Sequence, residues 1–112
     1  MDVTFVIPVF NEESSLEELH SKIETEMNSI TKNYDIIFVD DGSGDNSFEA
    51  LKKLSVKDSR VKVIKLRKNF GKSIALSEGF KLAQGDVILT MDGDLQNDPS
   101  DIPLLLRKIE QG

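Results

Sequence analysis

Val3-Thr-Phe-Val-Ile-Pro-Val9 near the start of the chain and Tyr34-Asp-Ile-Ile-Phe-Val39 further along have one character. Each is a short, β-branched apolar run, the pattern of a strand buried on both faces of a parallel sheet. Pro8 lacks an N–H and is expected to end the pairing of the first strand. Between the runs, Leu16, Leu19, Ile23, Met27 and Ile30 recur at helical spacing, with Asn11 placed to cap the first turn and Glu12 and Glu13 at its positive end. After the second run, Asp40-Asp41-Gly42-Ser43-Gly44-Asp45 is a cluster of turn formers.

The alternation continues to the end of the chain. A helix with Phe48, Leu51 and Leu54 inward precedes Val61 to Leu66, whose alternating lysines suit a strand nearer the sheet edge. Ser73 to Ala83 reads as a helix with Leu76, Phe80 and Ala83 on one face, and Gly85 sits where a helix C-terminus favours positive φ. Val87 to Met91 is the fourth strand, and Pro99 opens a last helix with Ile102, Leu105, Leu106 and Ile109 inward. Strands alternating with helices predict right-handed crossovers and a doubly wound α/β fold. The expected architecture is a mostly parallel, Rossmann-like four-stranded sheet with helices on both faces. Ligands of such sheets bind beyond the carboxyl ends of the strands.

Composition narrows the function classes. At 112 residues there is room for one domain, and 38% hydrophobic with 30% charged residues excludes both a disordered chain and a membrane span. Fourteen basic residues against 20 acidic give a net charge of −6, which argues against a grip on nucleic acid, so a bound phosphate would need help from a cation. With no cysteine there is neither a disulfide framework nor a thiolate metal site, which fits a cytoplasmic, reducing compartment. The first residues lack the basic segment and small-residue cleavage site of a signal peptide.

The strand ends carry the chemistry. Met91-Asp-Gly-Asp-Leu-Gln96 sets carboxylate, carboxylate and amide oxygens on Asp92, Asp94 and Gln96 around Gly93. Such oxygen-only ligands suit Mg²⁺ or Mn²⁺ with positions left for a diphosphate, against the plainer reading of a solvated acidic turn. Asp40 and Asp41 can accept hydrogen bonds from a base or ribose, with Gly42 allowing close backbone approach, or can simply make a strand-to-helix turn. Lys72, at the start of the third helix, can face a phosphate. Gly71-Lys72-Ser73 is not a P-loop, because Leu66 stands where its first glycine belongs, and Ser47 likewise spoils a dinucleotide fingerprint after Gly42. Asn11 and Glu12 either line a pocket or cap a helix, Phe70 is core or a stacking wall, and His20, off the apolar stripe, is expected in solvent.

Four motifs in order, Val6-Ile-Pro-Val-Phe-Asn-Glu-Glu13, Val39-Asp-Asp-Gly-Ser43, Asn69-Phe-Gly-Lys72 and Met91-Asp-Gly-Asp-Leu-Gln96, resemble the family-2 glycosyltransferases. The likeness is strongest to the branch of dolichol-phosphate mannosyltransferase and bacterial polyprenyl-phosphate sugar transferases, with Asp92-Gly-Asp-Leu-Gln-Asn-Asp-Pro99 as its signature. The resemblance implies the nucleotide-sugar-binding half of a GT-A fold over residues 1–112, with the acceptor half and catalytic base beyond them. It implies that Pro8, Phe10, Asn11 and Glu12 border the nucleotide, that Asp41 meets base or ribose, that Asp92 lies beside ribose and metal, and that Asp94 and Gln96 hold the metal. The implied reaction is inverting transfer from a UDP- or GDP-linked sugar to a polyprenyl phosphate or another glycan or lipid acceptor, with Mg²⁺ or Mn²⁺ as cofactor. The parent would work at the cytoplasmic face of a membrane. An exposed sheet edge would invite self-association. The rival readings are a donor-binding fragment without catalysis and a receiver-like Mg²⁺-binding signalling domain, although the latter needs its acidic pair after the first strand.

Overall fold

The computed structural model describes residues 2–30, 32–92 and 99–110, so Gly93, Asp94 and Gln96 lie outside the described residues. Four strands, β1 (Val3–Val9), β2 (Tyr34–Asp40), β3 (Val61–Lys65) and β4 (Val87–Thr90), form one all-parallel sheet in the order β3-β2-β1-β4. The helices are α1 (Leu16–Asn28), α2 (Ser47–Lys57), α3 (Lys72–Leu82) and α4 (Ile102–Glu110), the last entered through a 3₁₀ turn that begins at Pro99. The expected doubly wound α/β architecture is therefore present.

Every residue of β1 and β2 is buried, as their largely apolar runs require of central strands, and the polar pair Thr4 and Asp35 is satisfied by a mutual hydrogen bond of 2.6 Å. Alternate side chains feed two cores. Phe5, Ile7, Ile36 and Phe38 pack with Leu16, Leu19, Ile23 and Met27 of α1, Leu51 and Leu54 of α2, and Ile102 and Leu106 of α4. On the other face, Ile37 and Val39 pack under Ala75 of α3.

Three helices depart from the expected pattern. The sheet-facing residues of α3 are Ala75 and Gly79, while Leu76 is half-buried and Phe80 exposed. A Cβ on Gly79 would come within 2.4 Å of Val6 Cγ1, so α3 lies too close to β1 for a larger residue. Helix α1 begins at Leu16, with Glu17 and Glu18 in its first turn, so Asn11 does not cap it and Glu12 and Glu13 precede it. In α4, Ile102 and Leu106 are buried but Leu105 and Ile109 are about half exposed. Gly85 does not close α3, which ends at Leu82; a Cβ there would lie 2.6 Å from the Thr4 nitrogen.

Pro8 acts on one side of β1 only. Even-numbered residues of β1 face β4, and the last rung there is Met91 N–H to the Val6 carbonyl. The next would run from residue 8 to the Met91 carbonyl, and proline has no N–H to give. On the β2 side the ladder continues to Val9, whose carbonyl accepts from Asp41 N–H.

Candidate active site

Where pairing stops, the chain segments after all four strands surround a cavity of about 490 Å³ lined by Pro8, Val9, Phe10, Glu12, Asp41, Asn69, Gly71, Lys72 and Asp92. It sits at the carboxyl end of the sheet, where this topology places ligands. Of the residues singled out from the sequence, Pro8, Phe10, Glu12, Asp41, Lys72 and Asp92 meet there. Val9, Asn69 and Gly71 also line the wall. All three belong to the quoted motifs, Val9 to Val6-Ile-Pro-Val-Phe-Asn-Glu-Glu13 and the other two to Asn69-Phe-Gly-Lys72, though none was singled out as a site residue.

The two remaining described candidates stand elsewhere. Asp40 is fully buried, faces away from the cavity, and accepts the Ser43 N–H at 3.2 Å through Oδ1. Asn11 holds a left-handed backbone (φ 52°), and its Oδ1 accepts the N–H groups of Gly44 (2.7 Å) and Asp45 (3.3 Å). Its own N–H donates to Ser43 Oγ. Asn11 thus buckles the turn after β1 to the turn after β2. Glu12 N–H adds a bond to Ser47 Oγ at 2.8 Å, and Glu12 Oε1 accepts from Phe10 N–H.

Asp41 organises the far wall. One carboxylate oxygen accepts Phe70 N–H at 2.8 Å, and the other accepts Gly71 N–H at 3.0 Å and the Asn69 amide at 3.3 Å. These three donors fix the orientation of the carboxylate. Each oxygen can accept twice, so Oδ1, which takes only Phe70 N–H, retains a lone pair for a ligand hydroxyl or base N–H. Gly42 makes this contact possible: at φ +73° a Cβ would lie 2.3 Å from the Lys68 carbonyl carbon. The close approach that Gly42 permits in this structure is to the 68–69 backbone.

Lys72 is the first residue of α3, and its ammonium is paired with the carboxylate of Asp92, the first residue of the Asp-Gly-Asp motif. The Asp92 side chain is 28% exposed and Lys72 62%, so both remain reachable from the cavity. The Asp92 carboxylate thus faces a positive charge within the chain itself.

His20 overturns its expected place in solvent. It is 4% exposed, with Nε2 2.9 Å from Asp58 Oδ2. Burial pushes the Asp58 carboxyl up, but hydrogen bonds from the Arg60 backbone, His20 and the Arg60 side chain outweigh it and hold the group below the usual range. Arg60 also pairs with Glu24 at 3.5 Å and stacks on Tyr34. This network fastens α1 to the start of β3, at the opposite end of the strands from the cavity.

The family profile described as "Glycosyl transferase family 2" matches residues 4–112. An undecaprenyl-phosphate 4-deoxy-4-formamido-L-arabinose transferase of Shewanella sediminis is 44% identical over 111 residues, 98% of this chain and 34% of the relative. Its counterpart in Salmonella choleraesuis is 43% identical over the same shares. The chain therefore spans about a third of the length of these curated relatives. Among solved structures, S. aureus TarS 1-349 with UDP superposes with a TM-score of 0.79 at 22% identity, over 99% of this chain and 32% of that one. A mannosyltransferase from Pyrobaculum calidifontis with GDP-Man and Mn²⁺ gives 0.74 at 23%, over 82% and 27%. At such identities the structural likeness establishes the fold alone, but with the profile covering nearly the whole chain, the strand-end cavity is that of a protein that belongs to glycosyl transferase family 2.

Proposed function

We propose that this chain is the donor-binding half of an inverting glycosyltransferase that takes a UDP- or GDP-linked sugar. The observation that carries the reading is the convergence of Asp41, Lys72 and Asp92 on one cavity at the carboxyl end of the sheet. Phe10 and Asp41 would hold base and ribose, with Pro8 and Glu12 beside them, and Lys72 would meet the diphosphate. Asn11 and Asp40 act as positioning residues, since their side chains are engaged with the turn after β2.

The donor set fits a hard divalent cation. Asp92 supplies an anionic oxygen at a spot where positive charge is already seated, and Asp94 and Gln96 would complete the ligands with Gly93 between the acids. When bound, Mg²⁺ or Mn²⁺ would neutralise the leaving diphosphate. The acceptor would be a polyprenyl phosphate, the class named in the relatives, received by a half of the protein beyond this segment together with any base. No helix among the described residues is long and apolar enough to cross a membrane. The parent would act at the cytoplasmic face, while the chain alone would bind donor without efficient transfer and self-associate through β4.

Calorimetric titration of UDP, GDP and their sugars, with and without Mn²⁺, tests the reading on this chain and on Asp92→Asn. Metal-dependent binding of one nucleotide, lost in the variant, is the expected result; equal binding by both chains would sink it. A third arm adds a polyprenyl phosphate acceptor, for which rapid turnover would refute the division of labour.

A further inference from the structure

Charge in this chain is sharply segregated. Nine of its 14 Lys and Arg residues fall between Lys52 and Lys72, where Asp58 is the only acid, while the rest carries five basic and 19 acidic residues. Within that stretch, Arg60 is tied to Asp58 and Glu24, Lys62 to Asp35, and Lys52 loosely, at 3.9 Å on the exposed face of its helix, to Glu49. Lys65, Arg67 and Lys68 are exposed and have no carboxylate partner among the described residues. Two of them are stacked on aromatic rings: Lys65 lies 4.5 Å from the Phe48 centroid, which Lys52 shares at 5.6 Å, and Lys68 lies 5.2 Å from that of Phe70. Phe70 is 38% exposed while its backbone N–H is pinned by Asp41. The outcome is a rigid basic and aromatic corner at the exit of β3, followed directly in sequence by the cavity residues Asn69, Gly71 and Lys72.

We propose that this corner, Lys52, Lys65, Arg67 and Lys68 with Phe70, docks on the phosphates of an anionic lipid surface and sets the mouth of the cavity against it. Ammonium and guanidinium groups on the rim would pair with lipid phosphodiesters while the ring enters the headgroup layer. The number of cations favours lipid over nucleic acid. Lipid-binding clusters use about four to eight Lys or Arg, whereas a duplex typically takes about six to ten phosphate contacts, and the strongly acidic remainder would repel it. This surface is separate from the donor site, and its test needs no nucleotide.

Cosedimentation with vesicles of neutral phosphatidylcholine, or with about 30 mol% phosphatidylglycerol, decides the matter. A chain of net charge −6 should be repelled by anionic vesicles unless its cations act as a local patch. Capture by the anionic vesicles alone at low salt, lost at ~0.5 M salt where screening is short-ranged, is expected. Arg67→Gln should weaken partitioning roughly fivefold, and Lys65→Gln with Arg67→Gln and Lys68→Gln about a hundredfold, since each cation near such a surface is worth about 1 kcal/mol. Lys65→Arg with Lys68→Arg should retain it. Absence of capture at low salt, equal capture by neutral vesicles, or undiminished capture of Arg67→Gln would overturn the proposal.

Discussion

The two edges of the sheet are built on opposite principles. β3, Val61-Lys-Val-Ile-Lys65, carries lysines along an edge tied down by Lys62 to Asp35, by the Arg60 network at its start and by Asp41 beyond its exit. β4, Val87-Ile-Leu-Thr90, has no charge; Ile88 on its outer side is 43% exposed. Among the described residues, helix α3 covers β1 and β2 and leaves Ile88 on that face of β4 exposed. Charged edges refuse further strands and bare apolar edges accept them. The difference marks β4 as the edge open to a further strand and β3 as the guarded one.

Two glycines hold the edges at their distances, and replacing them tests the comparison most severely. Gly42→Ala forces a Cβ into the 68–69 backbone at a left-handed φ, and should cost about 3 kcal/mol in urea unfolding while freeing the exit of β3. Gly85→Ala meets the Thr4 backbone without the φ penalty and should cost about 2 kcal/mol, with amide exchange quickening in β4 and not in β3. A larger effect at Gly85 would reverse the ranking of the edges.

The acid response should belong to the β3 side. The folded-state pKa of Asp58 lies below its unfolded value, so its contribution is complete above the unfolded pKa of about 4 and disappears as pH falls through the folded one. Asp58→Asn should lose about 1–2 kcal/mol at neutral pH and flatten the stability profile below pH ~4. An unchanged acid limb would remove Asp58 as its cause. The smallest effect on stability, within about 0.5 kcal/mol, is expected from Ile88→Lys, which gives β4 the guard that β3 has. Sedimentation should then show concentration-dependent association of the parent chain and a monomeric variant.

How much of this was legible in the sequence depended on range. β1 and β2 were readable because a strand buried on both faces is apolar nearly throughout, and β3 because lysines interrupt a β-branched run. The face of α3 was misread because periodicity weighs large residues, and here the sheet comes too close for anything beyond Ala75 and Gly79. His20 looked solvent-facing because its partner, Asp58, lies 38 residues away. Asp41 and Asp92 were legible at the site through their place after strands. The clasp of Asn11 on residues 44 and 45 was not, since it joins turns more than thirty residues apart.

Pro8 shows how an omission can shape a binding surface. A sheet whose every rung is filled ends as a flush palisade, with nothing to enter. By withholding one hydrogen from the Met91 carbonyl, the central strand unlatches its neighbour two residues early and lets Asp92 turn aside toward Lys72. The hollow is thus written into the backbone before any ligand-facing side chain is chosen.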